Sequence, residues 1–140
     1  MLARETKIYK DAFNLTKTMF EITRNFRTEY RSTIARRLED GAAELASKIV
    51  EANLCEPKSD ERQRVLGHDF VVVYEKLFFF LAIASDLKLI SFKQHANISR
   101  ILDEIGKQAT GWRKSTAKKR QKAFIRNVEE HKRGLTVYGR

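Results

Sequence analysis

Residues 7–23 read KIYKDAFNLTKTMFEIT, and the spacing of their apolar side chains decides the architecture. Ile8, Ala12, Leu15, Met19 and Ile22, continued by Phe26, step alternately by four and three residues. That is the heptad rhythm of one face of an α-helix, whereas a half-buried strand would alternate every second residue. Tyr9, Phe13 and Phe20 widen the stripe, so this helix is expected to touch more than one neighbour.

The same rhythm recurs downstream. After a connection around Asn25 to Thr28, the residues Tyr30, Ile34, Leu38, Ala42, Leu45 and Ile49 form a second stripe, with Gly41 inside it. An internal glycine costs roughly 1 kcal/mol relative to alanine, so Gly41 reads as a point of close packing, with a local kink as the rival. The run NLCEPKSDE breaks the chain. Pro57 cannot continue a helix, and Ser59, Asp60 and Glu61 supply a cap and an acidic first turn. A third helix is expected from about Ser59 to Leu89.

Between Phe70 and Ile90 that helix is apolar nearly all round, which makes its middle the most enclosed element, within the bundle or between protomers. Phe70, Tyr74, Phe78 and Phe79, together with Trp112, are the residues expected to carry this packing. SFKQ at Ser91 has the capping-box pattern, Ser followed three residues later by Gln, and starts helix four. Ile98, Leu102, Ile105, Ala109 and Trp112 then repeat the heptad. Gly106 and Gly111 fall on this helix and suit close helix approach.

With one Pro and only six Gly in 140 residues, four amphipathic segments joined by short connections predict an all-α fold, an antiparallel up-down four-helix bundle. Residues 1–116 form the bundle and 117–140 a basic C-terminal extension. AKKRQKAFIRNVEEHK reads as a continuation of helix four or a short helix formed on contact, and GLTVYGR as a loose end.

The formal net charge is +10, and it is concentrated. Residues 1–106 carry 17 Lys and Arg against 16 Asp and Glu, while residues 107–140 carry 11 against 2. A one-signed extension on a nearly neutral body favours a polyanionic partner, because each phosphate neutralised releases condensed counterions. The candidate contacts are Arg113, Lys114, Lys118, Lys119, Arg120, Lys122 and Arg126, with Arg36 and Arg37 on helix two. Aromatic and basic residues do not interleave, so these side chains are expected to grip phosphates with little base readout. Trp112, on a heptad position, is read as core rather than as a base-stacking platform.

Other chemistries have little to stand on. Cys55 is the only cysteine, which excludes an intramolecular disulfide or a multi-cysteine metal site and points to a reducing, cytoplasmic setting. The apolar run from Phe70 is interrupted by Glu75 and Lys76, too short and too charged to span a bilayer, so no membrane partner is expected. His68, His95 and His131 lie on three different segments and form no Glu-x-x-His pair. No phosphate-cradling glycine loop, nucleophile elbow or catalytic pair occurs. The expectation is therefore a protein with no catalytic residue, no metal and no cofactor.

The run KIYKDAFNLTKTMFEIT, the second helix with Gly41, the LKLIS turn at Leu87 to Ser91 and ILDEIGKQATGWRKS on helix four together resemble the accessory variability determinant (Avd) proteins of diversity-generating retroelements. These are small four-helix bundles related to proteins encoded in ribosomal RNA intervening sequences. The resemblance covers roughly residues 5–116 and rests on packing patterns rather than catalytic signatures. It implies a non-enzymatic partner of a reverse transcriptase, a homopentamer whose basic surface holds template RNA, and possible contact with cDNA or an RNA–DNA hybrid, during mutagenic cDNA synthesis. An intervening-sequence bundle protein or a general nucleic-acid-binding protein is the alternative.

Overall fold

Four long helices carry the chain in the computed structural model, which describes residues 2–138, with side chains through residue 134. They are α1 (Lys7–Thr23), α2 (Ile34–Leu54), α3 (Phe70–Asp86) and α4 (Phe92–Tyr138), and no strand occurs among the described residues. Each packs against its neighbours in sequence, and α4 closes the ring against α1. This is the expected up-down bundle.

The heptad positions form the core. Ile8, Ala12, Leu15 and Met19 of α1 are buried against Leu38, Ala42, Leu45 and Ile49 of α2, Phe70, Val73, Leu77 and Leu81 of α3, and Ile98, Leu102, Ile105 and Ala109 of α4. Gly41 lets α3 come close. A β-carbon there would stand 3.0 Å from Leu77 Cδ1. The nearly all-apolar α3 divides into an inner face and an outer one on which Val72 and Phe79 remain exposed.

The connections differ from the sequence expectation in two places. Helix α2 begins at Ile34, because Tyr30 lies on a separate helical turn, Thr28–Arg31. Arg31 Nε donates to the Phe26 carbonyl at 3.1 Å and ties that turn to the end of α1. The expected third helix from Ser59 is also not uniform: a short helix, Asp60–Arg64, passes through a π-helical stretch, Val65–Asp69, before α3 starts. Arg62, 8% exposed, explains how this corner is fastened. Its Nε donates to the Ala52 carbonyl at 2.8 Å and its Nη2 to the Asn53 carbonyl at 3.2 Å, capping the last turn of α2 alongside the Cys55 N–H, which bonds the Ala52 carbonyl at 3.3 Å. Its guanidinium also lies 5.2 Å from the centre of the Trp112 ring.

At the α3–α4 turn the backbone of Lys88 is left-handed, with φ 60°. Lys88 N–H donates to the Ser85 carbonyl at 3.0 Å and Leu89 N–H to the Ala84 carbonyl at 2.9 Å, the paired bonds of a Schellman stop. Ser91 then forms the capping box, its N–H bonding Gln94 Oε1 at 2.8 Å while its hydroxyl accepts from Gln94 N–H at 3.0 Å.

Candidate nucleic-acid interface

Helix α4 does not stop where the bundle stops. Between Gly111 and Gly134 it meets neither proline nor glycine, and residues 117–123, AKKRQKA, are all good helix formers. It therefore continues past its last buried side chain, Thr116, as far as Tyr138. The chain is helical across the 116/117 position, which marks a change of surroundings rather than of backbone. The expected loose end is corrected as well: Gly134 to Tyr138 belong to the helix, and only Gly139 and Arg140 of GLTVYGR lie outside the described residues.

A continuous helix assigns each cation a direction. Lys114, Lys118, Lys122 and Arg126, four residues apart, share one stripe and are all exposed. Arg113 and Arg120 are half-buried. The Arg113 stem lies over Gly67 of the π-helical stretch, its Cδ 3.5 Å from where a β-carbon would stand, and Arg120 is paired with Asp60. Lys119, Lys122 and Arg126 meet a residue that sequence reasoning missed, Lys58, around a concavity of about 380 Å³. Its only signal was position. Lys58 follows Pro57 at the helix break, but Glu56, Asp60 and Glu61 around it made the segment look acidic.

Arg36 and Arg37 do not join this surface. Both are exposed at the start of α2, whereas the extension leaves the bundle beside Ala52 and Asn53 at the other end, roughly 25 Å away at 1.5 Å per residue. Arg37 lies over the Phe80 ring, 5.7 Å from its centre. Nearby, Arg27 pairs with Glu29 at 3.5 Å.

The packing candidates also separate. Phe70 is buried, Tyr74 and Phe78 are half-buried against the core, Trp112 packs against both buried clusters, and Phe79 is 62% exposed. Gly106 sits under Tyr74, but Gly111 has nothing within 4 Å of a built β-carbon. Close helix approach is therefore right for the first and wrong for the second. Between α3 and α4 runs a groove of about 570 Å³, with Tyr74 and Leu66 on one wall and Lys107, Arg113 and Lys114 along the other.

Burial pushes the Cys55 thiol up, and its Sγ donates to the Glu51 carbonyl at 3.3 Å. Such a thiol is a poor nucleophile. Among the described residues no group of three His, Cys, Asp or Glu is placed to hold a metal ion, and no helix is long and apolar enough to cross a membrane. The bAvd-like family model matches residues 6–116. No curated protein matches the chain.

Proposed function

Because the chain belongs to the bAvd-like family, we propose that it is a non-enzymatic accessory protein of a diversity-generating retroelement, binding the reverse transcriptase and template RNA to support mutagenic cDNA synthesis. The cationic stripe on α4 carries the RNA part of this reading. Lys114, Lys118, Lys122 and Arg126 run along one side of a continuous helix that leaves the bundle, within an arc of about 120°, and regularly spaced charges grip a phosphate backbone without reading bases.

The proposed assembly is a homopentamer. Its support is a pair of apolar strips that the bundle leaves open. Phe13 and Phe20 are 63% and 51% exposed on α1, and Val72 and Phe79 are 41% and 62% exposed on α3. These helices sit diagonally in the bundle, so their outer faces point away from each other. Joining one face to the other type of face on the next copy is a head-to-tail contact, which closes into a ring when the rotation allows.

The decisive experiment is to purify the tagged chain from its native cell, identify the proteins retained and sequence the nucleic acid retained. A reverse transcriptase together with RNA spanning its template repeat is the expected result. Recovery of ribosomal RNA or chromosomal DNA without such an enzyme would overturn the proposal.

A further inference from the structure

The backbone beneath Lys58 is held from several directions. Pro57 and Lys58 form the corner of a turn closed by Ser59 N–H donating to the Glu56 carbonyl at 3.0 Å. The Ser59 hydroxyl donates to the same carbonyl at 2.8 Å and accepts from Arg62 N–H at 3.0 Å. Arg62 is in turn locked to the end of α2 and to Trp112. Two residues after Lys58, Asp60 pairs with Arg120, which keeps the extension beside the turn and neutralises that carboxylate.

The product is a notch of about 380 Å³ with Lys58 on one side and Lys119, Lys122 and Arg126 on the other, the small Ala123 leaving room between. None of the four cations is in an ion pair among the described residues. These four exposed positive charges converge on a concavity from two separately braced elements and together favour an anion seated there. The geometry points to a phosphate clamp in which Lys58 and Arg126 close on a single phosphodiester of bound RNA.

This inference rests on the RNA-binding reading and adds where the strand is seated. A notch between two elements admits a single strand that a duplex or a lipid surface could only touch from outside. The helical side of the clamp, residues 119–126, lies beyond the matched segment 6–116. The clamp therefore joins the matched bundle to a segment outside the match.

The test titrates full-length protein with a labelled oligouridylate across a range of salt, using Lys58→Ala, Arg126→Ala and the double variant, with circular dichroism melting to show that each folds. All three should bind more weakly and flatten the log–log salt slope by about 0.7, the share of one single-stranded phosphate contact. A double variant flattened by about 1.4 would mean two separate phosphates and overturn the clamp, as would an unchanged slope for Lys58→Ala, while RNA binding itself stood. No oligouridylate binding by the parent, or tighter binding to vesicles rich in anionic lipid, would overturn the RNA reading and the clamp with it.

Discussion

Tyr74 reaches from α3 to the backbone of α4 directly over Gly106. Its hydroxyl donates to the Leu102 carbonyl at 3.0 Å, and a β-carbon on residue 106 would stand 2.5 Å from that oxygen and 2.9 Å from the ring carbon bearing it. Burial, with Asp103 and Glu75 nearby, holds the phenol above its ordinary range, so it remains a donor. The missing side chain and the inter-helix hydrogen bond therefore depend on each other.

Gly106→Ala should destabilise the fold by about 1 to 3 kcal/mol, since the displaced Tyr74 outweighs the alanine's gain in helix propensity. Gly106→Leu should cost more. Tyr74→Phe alone should cost about 1 kcal/mol for the lost hydrogen bond. With the nearest atom gone, Gly106→Ala should then be milder in the Tyr74→Phe background. Urea unfolding of the four proteins measures this coupling.

Gly111→Ala should behave oppositely. Nothing crowds the added carbon, and alanine is favoured over glycine in a helix by about 1 kcal/mol, so the unfolding midpoint should rise. Gly41→Ala should fall between the two. Its obstacle is Leu77 Cδ1 at 3.0 Å, the end of a side chain that can move a few tenths of an ångström.

Arg62→Met keeps most of the aliphatic volume but removes the hydrogen bonds to the Ala52 and Asn53 carbonyls and the cation from Trp112. The expected loss is about 2 to 3 kcal/mol. Arg62→Lys should recover little, because an ammonium cannot reproduce the planar fork. Denaturation followed by tryptophan fluorescence reports both the stability and the Trp112 environment.

Asp11 joins α1 to α4, accepting from Lys7 Nζ at 2.8 Å and Gln108 Nε2 at 2.7 Å. Burial pushes its carboxyl up, but these two hydrogen bonds and the Lys7 and Arg100 charges together hold it below its ordinary value of 3.8. A depressed carboxyl stabilises the fold above its unfolded pKa, and that contribution is lost as pH falls through the depressed value. Asp11→Asn should therefore be less stable than the parent by up to about 1 kcal/mol near pH 7, with the gap closing as the pH falls below the ordinary carboxyl value of 3.8. Paired thermal melts across pH measure the difference.

Truncation after Ala117 retains the buried Thr116 but removes the extension. With Arg120 engaged by Asp60, the six remaining candidates on α4 predict a salt slope of about −4 for single-stranded RNA, falling to about −1 to −2 when only Arg113, Lys114 and Lys58 are left. Binding should weaken alike for unrelated sequences. Filter binding at several salt concentrations, alongside a melting curve that changes little, checks both points.

The bundle was legible because burial follows apolar spacing. Ile8, Leu15, Leu38, Leu45, Ile98 and Ile105 are all buried where the heptads place them, and SFKQ forms the capping box it spells. Other features depend on partners distant in sequence. The π-helical stretch leaves no mark on apolar periodicity. Gly106 and Gly111 look equivalent until Tyr74 is found over one of them. Arg62 is a charged residue whose burial follows only from the carbonyls of Ala52 and Asn53. Arg36 and Arg37 share a sign with the extension, yet the length of α2 keeps them away from it, while Lys58 lines the notch beside the extension through a turn whose neighbouring residues are mostly acidic.

Because α4 is unbroken from Phe92 to Tyr138, the azimuth of every cation on its outer half is geared to the seat of Trp112. One residue inserted after Ala117 would rotate Lys119, Lys122 and Arg126 by about 100° away from Lys58 while leaving the charge of the extension unaltered. Seven inserted residues would restore the direction to within about 20°, but displace it by about 10 Å along the axis. Helical phase, and not charge content, is what a length change in this extension has to respect.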